Sequence, residues 1–230
     1  MDEYAMVSCR GLCQKLHATL PQELRDKVYE QVLGMANIQV SEKNGRGIVR
    51  DRVPCGVGIP DYLSLLHYWD PAWVGLNFLK ELARDWYRVT TFDFNYRTNL
   101  IPRFLDENIW GQGLRPRELV SKVKIHVPAI RLRSPKTLEE LENLFGFKNR
   151  VNLHIDISSA WFVEWGEHER LFPKSTWRAL EKAMEVILPI FPVLNRFLDA
   201  GFRLSVWLNS LCDITPHNAK FSSEKCLKVV

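Results

Sequence analysis

The first strong hydrophobic pattern in the chain is an apolar residue at every fourth position, beginning at Leu20. On a helix of 3.6 residues per turn these residues form one stripe, which consists of Leu20, Leu24, Val28 and Val32, with Tyr29 and Leu33 at its side. Thr19 and Gln22 have the spacing of a capping box, and Gly34 is suited to end a helix. The pattern predicts an amphipathic helix over residues 20–33.

A short alternating pattern follows this helix. Residues 38–40 and 48–50 flank Asn44-Gly45, which is a typical hairpin turn. The stretch from there to Pro60 is rich in Gly and Pro. We interpret the hairpin and this stretch together as an exposed connection.

Four later segments alternate strictly between apolar and polar residues, with centres near Phe94, Ile125, Ile155 and Val206. This period of two is typical of strands that bury one face only. Helical patterns over residues 70–87, 99–110, 137–145 and 175–200 lie before and between them, the last interrupted by Pro189 and Pro192. Strands that alternate with helices predict an α/β fold with a mostly parallel sheet.

The alternation also predicts that helices cover only one face of the sheet, because a sheet covered on both faces has continuous apolar strands. The other face would carry polar residues, namely Asp93, Asn95, Lys122, Lys124, His126, Asn152, His154, Asp156, Ser158, Arg203, Ser205, Trp207 and Asn209. Solenoid proteins use broad open faces of this kind to bind other proteins. We therefore expect a short, one-sided arc similar to a degenerate leucine-rich repeat.

The expected organisation is a helical segment (1–36), a hairpin and connection (37–70), the α/β repeat-like domain (71–215) and a tail (216–230).

Composition and charge narrow the class of function. The 230 residues have a formal net charge of +4, spread along the chain, whereas proteins that bind nucleic acid concentrate their basic residues. The five cysteines are scattered, which favours free thiols, and from the first residues and the length of the apolar stretches we expect neither a signal peptide nor a membrane span. We expect a protein of the cytoplasm or nucleus whose partner is another protein.

The predicted first helix carries a family resemblance. Its sequence, Leu-Pro-Gln-Glu-Leu-Arg-Asp-Lys-Val-Tyr over residues 20–29, resembles the opening helix of F-box-like proteins, in particular a group of uncharacterised fungal proteins. Residues 83–87 followed by Thr-Phe-Asp-Phe at 91–94 resemble the second landmark of that group. The chain departs from the F-box pattern after Gly34, where a hairpin replaces two further short helices.

The resemblance implies an adaptor that docks on the Skp-type linker subunit of a cullin ubiquitin ligase. The docking residues it implies are Leu20, Pro21, Glu23, Leu24, Val28, Tyr29 and Val32. The alternative is that the helix packs on the chain's own sheet. In either case the α/β part would select the target, through Lys124, His126, His154, Asp156 and Trp207 of the open face and through Trp161 and Trp165 of an insertion after the third alternating segment.

A second class of function, a small-molecule binding protein or enzyme, depends on His126, His154 and Asp156. These side chains are expected on neighbouring strands of the open face, where acid–base or metal chemistry is geometrically feasible. The chain carries none of the familiar phosphate-binding, nucleophile-elbow or zinc-protease motifs. We therefore predict a noncatalytic protein-interaction module that uses no cofactor and no metal.

Overall fold

The computed structural model describes residues 2–34, 37–42, 48–51, 67–107, 112–148, 150–158, 185–210, 212–216 and 220–222. The helices and strands in chain order are α1 (Asp2–Thr19), α2 (Gln22–Leu33), β1 (Asn37–Glu42), β2 (Ile48–Asp51), α3 (Pro71–Val74), α4 (Leu76–Val89), β3 (Thr91–Asp93), α5 (Ile101–Asp106), α6 (Pro116–Leu119), β4 (Lys122–Pro128), α7 (Pro135–Glu142), β5 (Asn152–Ser158), α8 (Phe191–Asp199), β6 (Arg203–Leu208) and β7 (Cys212–Asp213). Short 3₁₀ turns occur at His67–Trp69, Thr98–Leu100, Ala129–Arg133, Asn143–Gly146 and Leu188–Ile190.

The strands form one sheet with the order β2-β1-β3-β4-β5-β6-β7. The pairs from β1 through β3, β4 and β5 to β6 are parallel, and the two outer strands β2 and β7 pair antiparallel to their neighbours. The predicted α/β class and the parallel pairing are therefore confirmed. The parallel strands follow one another in chain order, as successive crossovers of one hand along a single face would produce.

The main core lies between one face of this sheet and the helices that connect its strands. The alternating apolar residues of the strands, such as Phe92, Ile125 and Ile155, are completely or almost completely buried there. Leu141 of α7 and Phe197 of α8 belong to the same cluster. Along β4, buried residues alternate with partly exposed ones, as expected for a strand with only one face in the core.

A second, smaller core holds the N-terminal helices. Cys13 of α1 and Tyr29 of α2 pack there with residues of α3 and α4, which are Val74, Phe78, Leu79 and Leu82. The ring of Tyr29 meets that of Phe78 edge to face, with 5.0 Å between the ring centroids. This cluster attaches α1 and α2 to α4, and α4 in turn covers the sheet through Trp86.

The hairpin prediction is confirmed, but its interpretation as an exposed connection is wrong for β1. Strand β1 pairs with β3 in parallel, and Ile38 and Val40 are buried in the main core. The alternation of apolar residues over 38–40 therefore indicates a strand that contributes to the core, not a surface loop. The Gly- and Pro-rich residues 52–66 lie outside the described residues.

Several element boundaries differ from the sequence expectation. Thr19 is not an N-cap but the last residue of α1, where its hydroxyl donates a hydrogen bond to the Lys15 carbonyl, and Pro21 precedes α2 instead. The helix expected over residues 70–87 is two helices, because Gly75 takes a φ of 82° between them. Asp70 caps the first of these, as expected from Asp70-Pro71, by accepting the Ala72 N–H.

The first alternating segment forms a shorter strand than expected because of local turn chemistry. Strand β3 ends at Asp93 although the alternation continues to Tyr96. The Asp93 carboxylate accepts the N–H of Asn95 at 2.7 Å, and Asn95 takes a φ of 48°. Backbone hydrogen bonds to β4 continue as far as Asn95, whose carbonyl accepts the His126 N–H, and the turn at Asn95 and Tyr96 then ends the extended segment.

Candidate functional site

Helix α2 presents part of its predicted apolar stripe to solvent. We call Leu20, Leu24, Val28 and Val32 the docking edge. Leu24 is 47% exposed and Val32 is 42% exposed, while Leu20 and Val28 are partly buried. Pro21 and Glu23 are also exposed. The helix packs internally, as the alternative expected, but mainly on α4 and the small core; Leu33 at its end also packs against the main core that covers the sheet.

Tyr29 is the anchor of this helix and not part of its exposed surface. Its side chain is 0% exposed, and its hydroxyl donates to Oε2 of Glu81 on α4 at 2.9 Å. Burial and the neighbouring carboxylate raise the pKa of Tyr29, so the hydroxyl keeps its proton and the hydrogen bond. Tyr29 therefore cannot be one of the docking residues that the F-box resemblance implies while α2 is packed in this way.

Arg25 links three helices around the same carboxylate. Its Nε and Nη2 atoms donate to the two oxygens of Glu81 at 2.8 and 2.9 Å, a bidentate pair. Its Nη1 atom donates to the Leu20 carbonyl at 2.6 Å and the His17 carbonyl at 3.2 Å, at the end of α1. Burial opposes ionisation of Glu81, but the hydrogen bonds from Arg25 and Tyr29 outweigh it and lower the pKa of Glu81.

A second ionic group joins α2 to α4 beside this pair. Arg84 contacts Asp26 of α2 at 3.0 Å and Asp85 at 3.2 Å, and Arg88 also contacts Asp85. Asp85 is nearly completely buried, and its Oδ2 atom has no hydrogen-bond partner among the described residues. Burial raises the pKa of Asp85 to about 6 despite the adjacent Arg84. Helix α2 is thus fixed by polar contacts on one side, while Leu24 and Val32 of its docking edge remain exposed.

The open face of the sheet contains a compact polar group near the carboxyl ends of β3, β4 and β5. We call Asp93, His126, Asp156 and Ser210 the strand-face cluster. His126 Nε2 lies 3.5 Å from Asp93 Oδ2, and His126 Nδ1 lies 3.3 Å from Asp156 Oδ2. The predicted meeting of His126 and Asp156 is therefore confirmed, because the register places them directly opposite each other.

Ser210 completes the cluster from the turn after β6. Its backbone N–H donates to Oδ1 of Asp156 at 2.9 Å, and its hydroxyl donates to Oδ2. Asp156 is only 4% exposed, so its carboxylate interacts mainly with the other members of the cluster and little with water. Burial opposes ionisation of Asp93, but contacts with His126 and the Asn95 N–H lower its pKa below the usual value.

Other predicted face residues lie around this cluster. His154 lies opposite Lys124 in the register, and burial together with the Lys124 charge lowers its pKa. Trp207 lies opposite Asp156, with its indole N–H donating to Ser205 at 2.8 Å. His154 and Trp207 have ring centroids 6.3 Å apart. Trp161 and Trp165 of the predicted insertion lie outside the described residues.

Two members of the cluster were missed by sequence reasoning. Asp93 appeared only as one polar residue among many, although an Asp two residues before an Asn is a turn signal that places its carboxylate near the end of a strand. Ser210 carries no local signal, because it reaches Asp156 only through the turn in which Asn209 and Ser210 have φ angles of 50° and 56°.

The fold defines an α/β protein with a five-strand parallel sheet between two antiparallel edge strands. Comparison of the chain with family models, curated proteins and solved structures gives no match. Within the described ranges, no group of three or more His, Cys, Asp or Glu side chains is arranged to hold a metal ion. None of the described helices is both long and apolar enough to cross a membrane.

Proposed function

We propose that this protein is a noncatalytic protein-interaction module whose docking element is helix α2. The observation that carries the proposal is the contrast in exposure along this helix: Tyr29 is completely buried, while Leu24 and Val32 are each nearly half exposed. An apolar edge on a helix that is already fixed in place loses little conformational freedom when it binds. Burial of each exposed Leu or Val by a partner would contribute about 1.5–3 kcal/mol at most.

In the specific form of the proposal, the module is an F-box-like adaptor that binds a Skp-type linker subunit of a cullin ubiquitin ligase in the cytoplasm or nucleus. The support is the resemblance of residues 20–33 together with the exposure of Leu24 and Val32. The open strand face would then select the target. The sequential order of its parallel strands supports the finer comparison with a short leucine-rich-repeat arc.

The test is a titration of the purified full chain with a purified Skp-type linker subunit by calorimetry. Leu24→Asp and Val32→Asp should each weaken binding by at least about tenfold, because a carboxylate would be buried at the contact. Ile130→Asp is the matched control, since Ile130 is 71% exposed on a 3₁₀ turn after β4. Binding of all three variants with unchanged affinity would refute the docking edge. Failure of the unaltered chain to bind any Skp-type subunit would refute the adaptor form.

A second candidate is a small-molecule site on the strand face. It is favoured by the contact of His126 with two carboxylates at the carboxyl ends of parallel strands, where ligands of α/β proteins commonly bind. Against it, the Asp156 carboxylate is already engaged by Ser210 and His126. A thermal-shift screen of metabolites and metal ions on the unaltered chain and on His154→Ala tests this function. A stabilising compound whose effect is lost in His154→Ala would favour this candidate over the interaction module.

A further inference from the structure

The register of the parallel strands sorts the open face into rows. At the amino ends of the strands, Thr91, Lys122, Asn152 and Arg203 lie side by side. In the next row on the same face, Asp93, Lys124, His154 and Ser205 are neighbours. The third row contains His126, Asp156 and Trp207. We call the first two rows the amino half of the face and the third row its carboxyl half. The two halves differ in their chemistry.

The carboxylates of this face already form hydrogen bonds or ion pairs with other groups of the protein. Asp93 accepts the Asn95 N–H and contacts His126, and Asp156 is held by Ser210 and His126. At the far edge Asp213 lies opposite Trp207, where it accepts the N–H of Thr215 at 2.9 Å. Asp156 belongs to the carboxyl half of the face and Asp213 to its margin, whereas Asp93 lies in the second row, directly opposite Lys124.

Basic groups outnumber carboxylates in the first two rows, where Asp93 is the one carboxylate and the Lys124 charge helps to lower its pKa. Lys124 and the exposed Arg203 have no ion pair within 4 Å among the described residues, and Lys122 donates only to the Val89 carbonyl. The exposed Arg150 shares the parity of Asn152 and His154 just before β5 and likewise has no ion pair there. We call Lys122, Lys124, Arg150 and Arg203 the basic patch.

The size of the basic patch favours a short peptide. Adjacent strands are about 4.8 Å apart, so Lys122 on β4 and Arg203 on β6 are separated by roughly 10 Å, which about three residues of an extended peptide would span. A longer nucleic-acid backbone that continued past β6 would meet the negative charge of Asp213 on β7. Tyr96, which is exposed, and Trp207 add aromatic surface beside the carboxyl half.

We infer that the basic patch is the target-binding surface of the module and that it takes an acidic peptide segment of a partner protein. This inference rests on the proposed function, since it assigns the chemistry of the target that the strand face would select. Lys124 and Arg203 make the charge-complementary contacts. The neutral state of His154, which its lowered pKa favours, leaves the lysine and arginine side chains as the source of positive charge.

Fluorescence anisotropy tests the inference with a short fluorescein-labelled peptide of alternating Glu and Gly. The full chain should bind this probe at low ionic strength and lose it as salt is added. The double variant Lys124→Glu/Arg203→Glu should raise the Kd by at least about tenfold. The matched control is Arg133→Glu/Lys136→Glu, which makes the same charge change at two exposed positions near the start of α7 and should leave the Kd unchanged.

The inference is overturned if the unaltered chain does not bind the acidic peptide, if the control variant loses binding equally, or if a single-stranded oligonucleotide binds more tightly than the peptide. The patch variant should also be titrated with the Skp-type linker subunit. Unchanged linker binding with lost peptide binding shows that the two surfaces act separately. Conversely, the Leu24→Asp variant should lose binding to the linker subunit and keep binding to the peptide. Together the two results would show that the two surfaces bind independently.

Discussion

The N-terminal helices and the sheet use polar and apolar groups in opposite ways. In the sheet, apolar side chains such as Ile125 and Ile155 are inside and polar ones line the open face. On α2, charged Arg25 and Asp26 bind the rest of the protein while Leu24 and Val32 remain outside. An exposed apolar edge therefore does not mean that a helix is loosely attached, because Tyr29 and the Arg25–Glu81 pair fix it from the other side.

The two regions also differ in how completely their polar groups are satisfied. The strand-face cluster satisfies both carboxylates, and a fully paired network of this kind makes its surroundings rigid. The ionic group between α2 and α4 leaves one oxygen of Asp85 buried without a partner in the part of the chain that the structure describes. The helical region should therefore respond more strongly to substitution and to pH than the sheet.

The largest effect is expected for Tyr29→Ala, which would break the anchor of α2. Loss of a buried aromatic ring costs about 3–5 kcal/mol, and here the small core that contains Phe78 and Leu82 would be left with a cavity. Urea denaturation measures the change in the free energy of unfolding. Hydrogen exchange should show that α2 loses protection before β4 and β5 do.

Tyr29→Phe separates the ring from its hydroxyl. It keeps the contact with Phe78 and removes only the hydrogen bond to Glu81, which should cost about 1 kcal/mol. Equal destabilisation by the Phe and Ala variants would show that the ring is not the anchor, and the contrast between the two regions would then fail.

An intermediate effect is expected from pH acting on Asp85. Its folded pKa of about 6 lies above its ordinary value of 3.8, so the folded state holds a proton that the unfolded state releases. The stability contribution of this proton is fully present below about pH 4 and is lost as the pH rises through about 6, on the order of 2 kcal/mol. Denaturation at several pH values between 4 and 7 measures this slope.

The matched variants for this titration are Asp85→Asn and Asp199→Asn. The first removes the buried group and should flatten the slope between pH 4 and 7, while the second changes an exposed carboxylate that pairs with Lys220 and should leave the slope intact. Asp93 and Glu81, whose pKa values are lowered, act in the opposite direction: their contribution is lost only as the pH falls below their ordinary pKa values. An unchanged slope in Asp85→Asn would contradict the assignment to this carboxyl.

The smallest effect is expected in the strand-face cluster for Ser210→Ala. This change removes the hydroxyl donor to Asp156 but keeps the backbone N–H donor, so it should cost about 1 kcal/mol of stability. Ser134→Ala is the control, because the Ser134 side chain makes no capping hydrogen bond at the start of α7. Thermal unfolding of both variants should show a lower midpoint for Ser210→Ala alone.

The sheet was largely predictable from the sequence because alternation is a local pattern. The segments centred on Ile125, Ile155 and Val206 became β4, β5 and β6, and their parallel pairing followed from the helices between them. The alternation of Ile38 and Val40 with polar residues also indicates a strand with one buried face, but the neighbouring Asn44-Gly45 turn favours a surface hairpin. Pairing of β1 with β3 depends on contacts distant in the chain, which no local pattern contains.

The N-terminal region was less predictable for a different reason. The periodicity of residues 20–33 identified a helix, but it could not show that Tyr29 faces the protein while Leu24 faces solvent. That orientation is set by Glu81, which is 56 residues from Arg25 in the chain. Helix α1 has no strong hydrophobic periodicity in the sequence, because its packed face includes Cys9 and Cys13. These small side chains contribute little to an apolar pattern.

The most direct test of the central claim is hydroxyl-radical footprinting of the full chain, alone and with a purified Skp-type linker subunit. In the free protein Leu24 and Val32 should be modified readily, and Tyr29 should be protected. When the linker subunit is added, modification of Leu24 and Val32 should fall several-fold while that of Ile130 stays the same. Ready modification of Tyr29 in the free protein, or modification of Leu24 and Val32 that the bound subunit does not change, would contradict the account.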